Sequence, residues 1–185
     1  MSDIGRRAVL KGAVGIAVAA TAASAKAVEK LEPLGKAGDF DFLTGEWRIE
    51  NRMIKPGTQA EWIEFPGEAT VHRILGGVGS VEELRIPARN FSGMGLRLLD
   101  VERRIWVDHW VNANSGVVTV PGQEGVFRDG AGTFTSEETI DGVRNIYRGV
   151  WDGITPTSCR WTQSASSDGG KTWAYSWYMR WTRVR

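Results

Sequence analysis

Two adjacent carboxylates and two histidines are the residues of this chain best suited to acid–base chemistry. Glu82 and Glu83 are neighbours in residues 80–86, a segment that reads as a β-strand. Successive strand side chains point to opposite faces, so one of the two turns inward wherever that strand walls a closed sheet. A carboxylate held among aromatic side chains binds its proton more tightly than in water, which suits a general acid or base. Glu83 is the catalytic candidate on this strand. The competing reading is a buried ion pair with Arg148, from the strand-like residues 143–151, that only braces the structure. His72 lies in the strand-like residues 68–75 and reads as a wall or surface residue. His109 is flanked by Trp106 and Trp110, and an inward His109 would supply a general base or a haem ligand. Asp108 and His109 are sequence neighbours, so they face opposite ways and cannot form an acid–base pair with each other. The residues expected to line a ligand cavity are His109, Trp110, Tyr147, Arg148, Gln163, Tyr175 and Trp177.

The signatures of other chemistries are missing from the sequence. It has no His-Glu-x-x-His, no Cys/His cluster and no carboxylate-rich loop of metal-binding spacing. A Gly-x-Ser-x-Gly elbow is absent too, and no Gly-rich phosphate loop precedes a helix. No metal site and no cofactor are expected. Cys159, the one cysteine, cannot form an intrachain disulfide and reads as a small wall or core residue.

These residues need elements to position them, and the elements are strands. Nine Trp and 23 Gly in 185 residues fit strands and tight turns rather than helices. Ten to twelve short strand-like segments follow one another from Trp47, including residues 60–65, 68–75, 96–99, 117–120, 133–140, 157–165 and 172–184. Pro66-Gly67 reads as a turn, the stretch containing Gly93 and Gly95 as a loop, and Asp141-Gly142 as a hairpin tip. Connections this short join antiparallel neighbours. Closing such a meander into an up-and-down barrel of about ten strands removes two exposed edges. Such a barrel is wide enough for one small ligand. In residues 173–183, Trp173, Tyr175, Trp177, Met179, Trp181 and Arg183 alternate with small or polar residues, so one face is nearly all aromatic. A net charge of +1 gives no electrostatic case for nucleic-acid binding.

The first 25 residues read as an address. Gly5-Arg6-Arg7-Ala8-Val9-Leu10-Lys11 resembles a twin-arginine export motif, with Gly5 and Val9 at two positions where Ser and Phe are usual. An Ala/Gly-rich stretch follows and ends at Ala23-Ser24-Ala25, a small-x-small cleavage site. The expected organisation is a signal over residues 1–25, a flexible leader over 26–38 and a barrel over 39–185. That places the mature protein in the periplasm with no membrane span left after cleavage.

Phe40-Asp41-Phe42-Leu43-Thr44-Gly45-Glu46-Trp47 reads as a short apolar helical turn feeding the first strand. Gly45-x-Trp47 at that place resembles the Gly-x-Trp start of lipocalins and their calycin relatives. With Asp141-Gly142, Arg148-x-x-Trp151 and Ser166-x-Asp168-Gly169-Gly170-Lys171-Thr172-Trp173, the chain is similar to a family of bacterial lipocalin-like proteins known mainly as a domain of unknown function. The resemblance implies a calycin barrel plugged at one end. There Trp47 packs across the closed end and a basic residue covers it; Arg180, Arg183 and Arg185 are available, and Arg183 is taken as the structural one. Haem-binding barrel relatives continue Gly-x-Trp-x-Gly-x-Gly, whereas Trp47 is followed by Arg48-Ile49-Glu50, which demotes haem. Residues 166–173 also match the Asp-box hairpin of sialidase propellers, which makes Asp168, Gly170 and Trp173 structural, with Gly45. The expected function is an exported barrel holding a small apolar or aromatic molecule. The alternatives are a cofactor-independent lyase, isomerase or cyclase in the same cavity, and a solid barrel that binds envelope partners.

Overall fold

The computed structural model describes residues 35–185. The signal over residues 1–25 and the first part of the leader lie outside the described residues. Ten strands follow a 3-10 turn at Asp41–Leu43: β1 (Gly45–Ile54), β2 (Trp62–Ile74), β3 (Gly79–Ile86), β4 (Phe91–Asp100), β5 (Ile105–Asn112), β6 (Gln123–Arg128), β7 (Ala131–Ile140), β8 (Val143–Asp152), β9 (Ser158–Ser166) and β10 (Ala174–Arg183). Each strand pairs antiparallel with the next, and β1 pairs with β10 to close the barrel. The fold is all-β and calycin-like. Among the described residues no helix is long and apolar enough to cross a membrane.

The closing seam carries the plug. Trp47 pairs with Arg183 across β1 and β10, and the Arg183 guanidinium stands 4.2 Å from the Trp47 ring centroid. The same guanidinium donates to the carbonyls of Phe42, Thr44 and Pro156. Trp47 Nε1 donates to the Leu43 carbonyl at 2.7 Å. The cation thus lies over an indole face while its N–H groups are taken up by the turn that must stay in place. Arg180 and Arg185 instead pair at the surface with Glu50 and Glu46. Phe40 packs against Trp106, Phe127 and Phe134 at 4.9, 5.0 and 5.5 Å, filling this end of the barrel. Gly35 and Gly38 donate to the Arg104 and Gly77 carbonyls, so the last residues of the expected flexible leader are tied to the barrel.

Four strand expectations need correction. Residues 60–65 and 68–75 form one strand, β2, which runs through Pro66-Gly67. Pro66 is tolerated because β2 pairs with β1 there, while its pairing with β3 begins only at Glu68. One side of the strand needs no N–H at that point. Gly93 and Gly95 lie inside β4 rather than in a loop. A Cβ at Gly93 would collide with the Trp110 indole, so the glycine makes room for the ring. Residues 117–120 are not a strand; they touch the sheet through a single Val111–Val118 bridge. The aromatic alternation of β10 is also broken. A register shift between Tyr175 and Trp177 leaves Tyr175 opposite Ser164 and Trp177 opposite Gln163. Tyr175 therefore turns outward and stacks on Tyr178 at 5.5 Å, while Trp177, Met179 and Trp181 turn inward.

The two turns most legible in the sequence have the backbone their residues imply. Asp141 and Gly142 both have positive φ, 49° and 77°, the conformation a two-residue hairpin demands. The 166–173 hairpin is braced by Asp168, whose Oδ1 accepts from the Lys171 and Thr172 amides at 3.0 Å, while Ser166 Oγ accepts from the Gly170 amide at 2.9 Å. Trp173 Nε1 donates to the Gly170 carbonyl. The Thr172 hydroxyl, donating to Asp168 Oδ2 at 2.6 Å, does most to hold the Asp168 carboxyl well below the usual carboxylate range, followed by the Thr172 amide and the Ser166 hydroxyl. Trp47→Ala should cost about 3–5 kcal/mol of stability in urea unfolding, the range for emptying a buried Trp site. An unchanged unfolding midpoint would mean the seam holds without its indole.

Candidate functional site

Below the plug the barrel is filled by rings; above it lies a cavity of about 490 Å3. Its walls carry Trp110, Trp161 and Trp177 with Tyr147, and its deeper side carries Trp151, Trp181, Leu84 and Met179. Trp161 packs edge-on against Trp177 at 5.8 Å and tilted against Trp151 at 6.4 Å. Trp177 is fixed by donating Nε1 to Asn51 Oδ1 at 3.0 Å. Tilted and edge-on rings leave indole faces directed at the space between them.

The floor is ionic. Arg97 on β4 reaches across to β3, where its Nη2 donates to Glu82 Oε2 at 2.5 Å. Its Nε lies 3.3 Å from Oδ2 of Asp108, the residue directly opposite on β5, without hydrogen-bond alignment. Phe40 from the plug and Trp151 from β8 cover the guanidinium, each ring centroid 5.2 Å from Cζ. The side chains of Glu82 and Arg97 are 4% exposed, while Asp108 keeps 18%. Burial opposes the Arg97 charge, but Asp108 and Glu82 more than offset it and leave Arg97 above its ordinary range. Burial raises the proton affinity of Asp108 above its ordinary value, against the pull of Arg97.

The mouth is set by a weakness in the sheet. β5 and β6 pair only through Trp106–Gly125, Val107–Glu124 and Asp108–Gln123. Beyond that the two strands part, and the loop of residues 113–122 fills the gap. The Thr119 amide donates to the Trp110 carbonyl at 2.8 Å, and Thr119, Val120, Pro121 and Gly122 line the cavity. Ser136, Glu137 and Glu138 of β7 complete this side. The opening therefore lies away from the Trp47 end.

The sequence-derived candidates divide by strand parity. Trp110, Tyr147, Gln163 and Trp177 line the cavity. Glu83 does not; it points outward and pairs with Arg85 at 2.8 Å, and Glu82 takes the inward position because it shares a face with Leu84 and Ile86. His109 points outward from β5, where Nδ1 meets the Thr119 carbonyl at 3.1 Å under the loop. The inward residues of that strand are Trp106, Asp108 and Trp110. Arg148 is outside as well, 3.6 Å from the Trp173 ring and hydrogen-bonded to Ser164. It neither enters the cavity nor pairs with Glu82, whose partner is Arg97. Tyr175 is outside through the β10 bulge. His72 shares the outward face of β2 with Thr70.

Asp108 and Glu82 were legible as inward from their alternation with Trp106 and with Leu84 and Ile86. Arg97 was not, since its neighbours Leu96 and Leu98 read as the buried face. Cys159 is buried beside Trp181, and burial pushes its thiol up to about 12, so it stays protonated and inert. Among the described residues no group of three or more His, Cys, Asp or Glu could hold a metal ion.

No protein-family model matches the chain, and no curated protein matches it. Among solved structures, a protein of unknown function from the DUF3598 family of Nostoc punctiforme is similar over 80% of this chain and 50% of that one, at 12% identity and a TM-score of 0.49. The chain thus spans about half the length of that protein. An S-type phycobiliprotein lyase from Guillardia theta is similar over 79% of this chain and 90% of that one, at 13% identity and a TM-score of 0.47.

The Asp108 shift has a testable sign. A carboxyl with raised proton affinity in the folded state stabilises below its unfolded pKa and loses that contribution as pH rises through the folded one. Relative to wild type, Asp108→Asn should therefore gain stability as pH rises above about 4, the ordinary carboxylate value, in thermal unfolding. A difference that stays flat with pH would show that Asp108 binds its proton equally in both states.

Proposed function

We propose that this protein is an exported binding barrel that holds a small apolar or aromatic molecule among Trp110, Trp161, Trp177 and Tyr147. The observation that carries this reading is the cavity itself. Its volume of about 490 Å3 is the size of small-molecule sites, and its walls are rigid aromatic surface with a few polar groups at the floor and mouth. A barrel used only as a solid scaffold would fill that space with side chains. Titration with a neutral environment-sensitive dye, N-phenyl-1-naphthylamine, should show saturable binding at one site. Trp161→Ala should weaken it about tenfold or more. Glu83→Gln, on the outer face, should leave it unchanged. Loss of binding in Glu83→Gln but not in Trp161→Ala would place the ligand outside the barrel. Native mass spectrometry of protein recovered from its own envelope would identify a retained ligand.

A second reading is favoured by one observation, a cavity-facing carboxylate with raised proton affinity. In it the barrel is a cofactor-independent lyase, isomerase or cyclase with Asp108 as the acid–base group, in place of Glu83 or His109. It requires turnover that Asp108→Asn abolishes without abolishing dye binding. Export is part of the same proposal and rests on Arg6-Arg7 and the Ala23-Ser24-Ala25 site. Replacing both arginines by lysine should hold the protein in the cytoplasm in a fractionation experiment. Continued export would rule out the twin-arginine route.

A further inference from the structure

We propose that the cavity selects an organic cation, a protonated amine or quaternary ammonium on an aromatic or apolar body, with its charge seated between Asp108 and the indole walls. This rests on the reading that the cavity binds a ligand and names the ligand's class.

A ligand that enters the cavity meets charged groups at the floor. The lining holds four carboxylates, Glu82, Asp108, Glu137 and Glu138, and one guanidinium, Arg97, with Glu137 already paired to Arg144 outside the lining. That guanidinium is hidden. Glu82 holds one edge at 2.5 Å, and the Phe40 and Trp151 rings cover it. Asp108 is the floor group that keeps accessible surface, at 18% against 4% for Glu82 and Arg97. A guest at the floor therefore faces a carboxylate that keeps accessible surface and whose contact to Arg97, at 3.3 Å, is off hydrogen-bond alignment.

The walls supply the second half. The lining indoles of Trp110, Trp151, Trp161, Trp177 and Trp181 carry electron-rich faces, and cations are held over such faces most strongly where water is excluded. The barrel already seats guanidinium groups this way at Arg97 and at Arg183. An aromatic box closed by a carboxylate is the arrangement that recognises ammonium groups.

An anion fits poorly. It would meet the floor and rim carboxylates, and the four lining N–H groups without hydrogen-bond partners cannot help it. Arg97 Nε and Nη1, Trp151 Nε1 and Trp181 Nε1 are closed off by neighbouring atoms and offer no surface to a ligand oxygen. A neutral apolar guest would strip the remaining water from Asp108 and give nothing back. An ammonium stabilises the ionised carboxylate and releases the proton that burial favours.

That coupling makes affinity pH-dependent. The charged and titratable groups that share the cavity with Asp108 are Glu82 from β3, Arg97 from β4, Glu137 and Glu138 from β7 and Tyr147 from β8, beside the neutral Gln123 from β6; Glu137 is paired with Arg144, and His109 is turned outward on Asp108's own strand. Glu82 lies behind the Arg97 ion pair and Glu138 at the rim, so Asp108 is the carboxylate whose proton an incoming ammonium displaces.

The experiment displaces N-phenyl-1-naphthylamine from the full barrel with three compounds of one shape: tryptamine, 3-propylindole and indole-3-propionate. Tryptamine should displace the dye at about tenfold lower concentration than 3-propylindole, with indole-3-propionate weakest. Its advantage should shrink as pH falls from about 8 to about 4, where the amine stays charged and Asp108 takes up its proton. Asp108→Asn should abolish the advantage of tryptamine over 3-propylindole. Equal or tighter binding of the neutral or anionic compound overturns the proposal, as does a tryptamine preference that survives in Asp108→Asn or is flat with pH. An indole series that leaves the dye in place overturns the ligand class while the binding reading stands. A dye that never binds saturably overturns both.

Discussion

Closure between the first and last strands is the constraint on which the rest of this structure depends. Ten antiparallel strands laid open would leave two long rows of unpaired N–H and C=O groups. Pairing β1 with β10 from Trp47–Arg183 to Met53–Trp177 removes both rows at once. The seam also recruits the plug. Arg183, at the end of β10, takes three carbonyls from the turns beside it and lies over Trp47 at the start of β1. One cation thereby ties the beginning of the barrel to its end and holds the turn that fills it.

Closure in turn makes the interior. Once the sheet curls, alternate side chains of every strand are forced into a shared space, and its contents must be compatible across the barrel rather than along a strand. On β4, Gly93 leaves the room that the Trp110 indole of neighbouring β5 occupies. Near the plug the rings pack against one another. Further up, Glu82, Arg97 and Asp108 form a charged layer whose guanidinium is covered by aromatic faces. Three charges buried together are costly unless they are paired. Here the pairing is uneven, with Glu82 well bonded and Asp108 less so, and the less satisfied group is the one bordering the cavity.

The cavity follows from where strand pairing stops. β5 and β6 share three residue pairs and then separate, which leaves a gap that the loop of residues 113–122 spans. A continuous ladder there would have closed the wall and brought Thr119 to Gly122 away from the interior. The outer face is put to a different use. His109 anchors that loop through the Thr119 carbonyl, and Arg148 lies on Trp173 of the braced hairpin. Residues that looked like chemistry in one dimension thus act as fasteners of the loops at the open end.

Much of the architecture was determined by the sequence alone: an all-β meander of about ten strands, the Phe40–Trp47 turn opening it, and the Asp141-Gly142 and Ser166–Trp173 hairpins. Each is a local matter of turn chemistry, alternation or a short side-chain-to-backbone bond. The sequence marked Trp110, Tyr147, Gln163 and Trp177 as cavity candidates without settling which way they face. The tertiary structure decided the rest, because facing in a barrel is a property of register. A single register shift in β10 sent Tyr175 outside and Trp177 inside. Parity set by Trp106 on β5 and by Leu84 on β3 exchanged His109 for Asp108 and Glu83 for Glu82. Arg97 became the centre of the floor only because β3 and β5 flank β4 and bring a carboxylate to each side of it. That meeting joins residues distant along the chain, and only strand pairing could bring them together.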